Sequence, residues 1–227
     1  GYNHRVTVGL QTRFQRTTTG LEIFRAGLGQ IFYLEPGEVF LDSDQSATDG
    51  LITEKESPYA ADLLWRPNSR LDLSVTGVWD PGENETQSGA TTASFHSDDY
   101  RKLFNVSHRY RNDIAETLEQ TDVSLLFPAT ETINLFGRWL FDLRDRRTIG
   151  ALAGIEYSSC CWRVQAMSHA VLEDEDEMDS ELDHGFFIRF QLRGLGGLGT
   201  GDVDSALDGE IRNMSERRRY REENYIW

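Results

Sequence analysis

Side chains change character one residue at a time over stretch after stretch of this 227-residue chain. In residues 3–14, Val6, Val8, Leu10, Thr12 and Phe14 fall on one parity, and Arg5, Thr7, Gly9, Gln11 and Arg13 on the other. Consecutive side chains of a strand point to opposite faces, whereas a helix of 3.6 residues per turn would mix the two sets. The same alternation sets Leu71, Leu73, Val75, Gly77 and Trp79 against Asp72, Ser74, Thr76 and Val78. It also sets Ile133, Leu135, Trp139, Phe141 and Leu143 against Asn134, Arg138, Asp142 and Arg144. Further strands are predicted at 21–34, 58–66, 92–97, 103–111, 122–127, 148–157, 161–171 and 185–194. The total is about eleven, nearly all neighbours in an antiparallel meander. Residues 21–34 are apolar on both parities, so their inward side stays open.

Composition turns this pattern into a fold class. Hydrophobic residues make up 38% and charged residues 27%, yet aromatic residues reach 11%. A wall with apolar rings on one side and polar groups on the other has that average, because the two faces cancel. No run approaches the roughly 18 apolar residues of a membrane helix. A bilayer would therefore be crossed by strands, since only helices and closed barrels satisfy every backbone group in lipid. The net charge of −15 removes nucleic acid as a partner, because phosphate binding needs a basic surface. The opening Gly-Tyr-Asn-His-Arg lacks the regions of a signal peptide, which suggests a mature or truncated piece.

Connection lengths add an asymmetry. Short turns at 16–20, 67–69, 97–101 and 128–131 are expected to alternate with longer, acidic loops at 35–57, 81–91, 112–120 and 172–184, as in transmembrane barrels with tight turns on one rim. Trp65, Trp79, Phe127, Trp139, Tyr157 and Trp162 lie near strand ends and suit interfacial girdles. Singly, each also suits an ordinary core.

The two cysteines, Cys160 and Cys161, are adjacent and fall at a tight turn. Adjacent strand positions diverge, so each thiol is expected to bond elsewhere than to its neighbour; two unreactive buried thiols are the alternative. Metal binding is not expected from two adjacent thiols without the usual ligand spacing.

Gly-Ile-Glu-Tyr-Ser-Ser-Cys-Cys-Trp at 154–162, followed by Gly-Phe-Phe-Ile-Arg-Phe-Gln-Leu-Arg-Gly-Leu-Gly at 185–196, resembles the C-terminal end of the LptD family, the LPS-assembly proteins of the outer membrane. Weaker similarity runs through 104–111 and 25–31, so the resemblance reaches about residue 199. It implies an all-β, antiparallel transmembrane β-barrel, of which residues 1–199 supply a C-terminal part and 200–227 a periplasmic tail. It implies lipopolysaccharide as substrate, inserted into the outer leaflet through a laterally gated barrel in the cell outer membrane. Implied partners are an LptE-like plug lipoprotein, an LptA-like periplasmic bridge protein and the barrel-assembly machinery. For Cys160 and Cys161 the resemblance implies disulfides to cysteines of a periplasmic domain outside this chain. For the strand 185–194 it implies the lateral gate, with Phe186, Ile188, Phe190 and Leu192 toward lipid and Phe187, Arg189, Gln191 and Arg193 toward the lumen. Arg189 and Arg193 could meet lipid phosphates transiently, but pairing with barrel carboxylates such as Asp142 or Glu156 is the stronger expectation.

The remaining motifs add little. Eight acids between Leu172 and His184 lack the glycine-punctuated spacing of a calcium loop and suit a solvated loop. Residues 194–199 match GxGxxG, but no βαβ unit surrounds them, so no cofactor is expected. Residues 202–220 suit a helix with Val203, Leu207, Ile211 and Met214 on one side. The Arg217, Arg218, Arg219 and Arg221 cluster there is expected to be solvated. His96, His108 and His169 show no local signature with a serine and an acid, so catalysis is not expected. Another outer-membrane barrel, a porin-like channel or a membrane hydrolase, is the competing reading.

Overall fold

The computed structural model describes residues 5–33, 57–112, 117–172, 182–192, 196–199 and 211–223. Among these, the strands are β1 (Arg5–Gln15), β2 (Glu22–Tyr33), β3 (Tyr59–Asn68), β4 (Leu71–Asp80), β5 (Glu85–His96) and β6 (Leu103–Asn112). They continue as β7 (Thr117–Pro128), β8 (Ile133–Asp142), β9 (Arg147–Ser158), β10 (Trp162–Leu172), β11 (Leu182–Leu192) and β12 (Gly196–Gly199), and one helix, α1 (Met214–Glu223), follows. The sheet runs β1 to β12 in sequence order. The all-β antiparallel fold is thus the expected one, with a short extra strand at its end.

The chain divides into two compact units, residues 1–66, 74–90 and 111–117, and residues 67–73, 91–110 and 118–227. In the first unit, β1 pairs with β2 so that Val8 faces Gln30, Leu10 faces Leu28 and Phe14 faces Phe24. Cross-strand partners share a face, which settles the inward side of β2: Leu28 joins the apolar face and Arg25 the polar one. Leu10 is 79% exposed and Phe14 60%, so this face presents large apolar side chains that no described residue covers.

Two of the expected long loops are shorter than their composition suggests. Asp80 accepts hydrogen bonds at Oδ1 from the amides of Gly82 and Glu83, and at Oδ2 from the Gln87 side chain. With Asn84 at a φ of +54°, the chain reverses in four residues, and β5 begins at Glu85 rather than at 92. Asp142 repeats the device: its Oδ1 accepts from the amides of Arg144 and Asp145 before Arg146 turns left-handed at +53°. An aspartate that caps its own following amides is a turn-forming element. The 81–91 loop is therefore corrected to a turn at 81–84. β6 likewise runs to Asn112 and β7 begins at Thr117 rather than 122, so that 112 and 117–120 of the expected 112–120 loop are strand, and 113–116 lie outside the described residues. Of the expected loops at 35–57 and 172–184, residues 35–56 and 173–181 lie outside the described residues, while Leu172 belongs to β10 and Leu182, Asp183 and His184 to β11.

In the second unit, the register lays side chains in straight rows across the strands. On the apolar face Phe127, Leu135, Ile155, Ala166 and Ile188 stand opposite one another in turn across β7 to β11. On the other face the row is Leu126, Phe136, Gly154, Met167 and Phe187. The first row is largely exposed, and Leu126, Phe136 and Met167 are buried. Gly154 is small because its neighbours are not: a Cβ there would strike the Phe136 ring and come within 2.7 Å of the Ala166 carbonyl oxygen.

Candidate functional site

What buries the inner row is the end of the chain. Ile211, with no exposed surface, and Met214 pack into a cluster with Leu103, Leu126, Phe136, Leu152 and Met167, with Tyr100 and Phe187 at its margin. Each such burial contributes about 1.5–3 kcal/mol relative to exposure. The Asn105 side chain donates to the Arg212 carbonyl, which fixes the approach to α1, and the Tyr220 ring lies 5.8 Å from that of Tyr100.

One row further toward the 159–161 turn, Asn134, Glu156, Gln165 and Arg189 stand in register. Glu156 is 1% exposed, a costly place for a carboxylate unless it is paired and hydrogen-bonded. It is both. The side-chain amides of Asn134 and Gln165 donate to Oε1 and Oε2 at 2.9 and 3.0 Å. Arg217 Nη2 and Arg221 Nη1 donate to Oε1 at 2.7 and 2.8 Å. The spacing of four places both guanidinium groups on one side of the helix, and Ile211 and Met214 continue that side. Burial pulls Arg221 down to about 10 against the opposing pull of Glu156, which leaves it charged at neutral pH.

This cluster revises the sequence reading of the tail. Arg217 is 4% exposed and Arg221 8%, so two of the four clustered arginines are buried rather than solvated. Of the expected helix at 202–220, residues 202–210 lie outside the described residues, 211–213 form a turn, and α1 runs from 214 on to 223. Among the described residues the hydrogen-bond partners of Glu156 are Asn134, Gln165, Arg217 and Arg221, not Arg189. Asp142 closes its turn, Arg193 lies outside the described residues, and Arg138 takes Asp122 in a pairing of 2.6–3.1 Å. Of the barrel carboxylates offered as partners for Arg189 and Arg193, Glu156 is thus taken by a clamp from the tail. The i, i+3, i+6 and i+10 spacing of Ile211, Met214, Arg217 and Arg221 was the available signal. Nothing local pointed from it to a glutamate sixty positions upstream.

Among the described residues, one cavity borders the inner apolar row and another the clamp. One, of about 230 Å³, is lined mainly by Leu152, Met167, His169, Phe187 and Arg138; the other, of about 260 Å³, by Arg101, Glu131, Asn134, Ser158, Arg217 and Arg221. The second lies by the turns at 97–102 and 129–132, which Arg101 joins through the carbonyls of Thr130 and Glu131.

β11 alternates as its sequence indicates. Phe186, Ile188, Phe190 and Leu192 are exposed, whereas Phe187, Arg189 and Gln191 are partly covered. The resemblance makes the 185–194 strand the final one of the barrel; a further short strand follows it here, for β12 pairs along β11 from Arg189 opposite Gly199 to Leu192 opposite Gly196. Cys160 and Cys161 are exposed in the β9–β10 turn, closed by the Ser159 amide on the Trp162 carbonyl. Their Sγ atoms lie 2.7 Å apart. The expected divergence of the thiols is thus corrected, because it holds for strand positions and these are turn positions.

The sequence profile of the family described as LPS transport system D matches residues 2–176. The LPS-assembly protein LptD of Hahella chejuensis is 51% identical over 228 residues, covering 100% of this chain and 28% of that protein. The LptD of Marinobacter nauticus is 37% identical, covering 97% and 26%, and that of Alcanivorax borkumensis 31%, covering 97% and 28%. The chain thus spans between a quarter and a third of the length of these relatives. By its match over most of its length, with the two-faced antiparallel sheet, the chain belongs to the LPS transport system D family, LptD.

Proposed function

We propose that this chain forms the C-terminal part of an outer-membrane barrel wall that transports lipopolysaccharide and inserts it into the outer leaflet. Residues 1–199 are wall and 200–227 a tail on the periplasmic side. The observation that carries this reading is the family match over residues 2–176. The exposed apolar rows of the sheet agree with it, since lipid is the one solvent that such a face prefers to water. The polar face then lines the lumen, where a phosphorylated, sugar-bearing head group has wet walls to pass along. Arg189 and Gln191 of β11 lie on that face.

In this reading β11 stands beside the lateral gate, and Cys160 and Cys161 bond to cysteines of a periplasmic domain, holding it to the barrel. An LptE-like lipoprotein inside the barrel, an LptA-like bridge protein and the barrel-assembly machinery are the partners. Depleting the full-length protein tests the function. Newly made lipopolysaccharide should then disappear from the cell surface and collect behind the outer membrane; unchanged surface delivery after depletion would refute it.

A further inference from the structure

The β11 edge carries something that the gate reading alone does not supply, and the inference drawn from it rests on that reading. A strand edge exposes a row of unpaired backbone groups and accepts any extended segment. Along β11 that row is taken in part by the chain itself, since Arg189, Phe190, Gln191 and Leu192 pair with Gly199, Leu198, Gly197 and Gly196. These are the residues nearest the cysteine turn, because Leu192 also faces Trp162 on β10. Among the described residues the β12 pairing does not extend along Leu182–Phe187.

A four-residue strand with three glycines has little of its own to hold it, for glycine loses much backbone entropy on ordering and has no side chain to pack. The anchorage is supplied further on. Where the described residues resume, Ile211 and Met214 enter the inner cluster, and Arg217 and Arg221 grip Glu156 of β9. Phe187 of β11 borders the same cluster. β12 is thus paired along its length with β11, and the chain beyond it is anchored from Ile211 onward.

We propose that β12 and α1 form a self-supplied clamp on the end strand: β12 caps the β11 edge over Arg189–Leu192, and α1, fastened to Glu156, keeps it there. A neighbouring strand can then add to β11 only along Leu182–Phe187, and lateral opening is confined to the half of the edge farther from the cysteine turn.

Hydrogen–deuterium exchange on the purified full-length protein in detergent tests this. In the unaltered protein the 196–199 amides should exchange at least tenfold slower than unstructured backbone. Arg217→Glu with Arg221→Glu should raise their exchange at least tenfold while β9 and β10 stay protected. Adding Glu156→Arg to that pair, which inverts the charges, should restore the protection. Deleting 196–227 should raise exchange at 189–192 and leave 182–187 unchanged. Unprotected 196–199 amides in the unaltered protein would overturn the proposal even if every variant failed to fold. Protection indifferent to the charge reversal, or a deletion that loosens all of β11 equally, would overturn it too. No lipid transport enters this measurement, so its failure leaves the transport reading standing, and a failure of transport leaves the clamp standing.

Discussion

Arg221 donates a 2.8 Å hydrogen bond to Oε1 of Glu156 from 65 positions further along the chain. The bond joins a terminal helix to a strand in the middle of the second unit, and Arg217 doubles it on the same oxygen. Breaking a buried ion pair by removing one partner leaves an uncompensated charge, whereas replacing all members with apolar side chains removes the desolvation cost as well.

Arg221→Met alone should therefore destabilise the folded chain by about 3–5 kcal/mol. Combining Glu156→Leu, Arg217→Met and Arg221→Met should cost less than the single change. Urea unfolding followed by tryptophan fluorescence measures both. If the triple variant proved the weaker, the pairing would contribute more than burial of its charges costs.

Gly154 supplies a packing prediction. Because a Cβ at this position meets the Phe136 ring and the Ala166 carbonyl, Gly154→Ala should destabilise by about 1–3 kcal/mol, as overpacking does. Phe136→Ala removes one of the two obstacles and creates a cavity of its own. In a double-mutant cycle the two changes should be less harmful together than their sum, with a coupling of about 0.5–3 kcal/mol. Simple additivity would place the ring elsewhere.

The strands were legible because alternation is a local property, written in every second side chain: β8 was expected at 133–144 and lies at Ile133–Asp142. Residues 85–91 and 117–120 read as loop because their side chains are mostly polar or small on both parities. Their strand character comes from pairing, and from turn chemistry such as that of Asp80. β12 had no pattern to read, since three of its four residues are glycine. Glu156 sat in the motif that carried the family resemblance, but its burial is imposed by a helix beyond the next three strands. No periodicity records such a meeting.

The two faces of β11 should respond oppositely to charge. Ile188 is 48% exposed on the apolar face near the middle of the strand, where arginine in a barrel facing lipid costs about 2–4 kcal/mol at the midplane. Gln191 lies on the other face, and Gln191→Arg there should change stability by less than about 1 kcal/mol. Folding into lipid vesicles across a urea series compares them, and equal costs would contradict a lipid-facing Ile188.

The cysteine turn gives the last prediction. Cys160 and Cys161 are exposed side by side at the β9–β10 reversal, so a partner thiol can approach either one. The outer membrane encloses an oxidising compartment in which exposed thiols form disulfides. Under the proposed topology, that turn is periplasmic. A membrane-impermeant maleimide should accordingly spare these residues in intact cells, and label them only after permeabilisation and reduction. Replacing both by serine in the full-length protein should shift its mobility on non-reducing gels and raise outer-membrane permeability, because the periplasmic domain would no longer be held to the barrel. Either single replacement should be milder, since one bridge still holds the two parts together. If the double variant ran and exported as the unaltered protein does, the disulfide role would fall. The strand architecture would not fall with it, because it rests on the alternation and register of β1 to β11, to which neither thiol contributes.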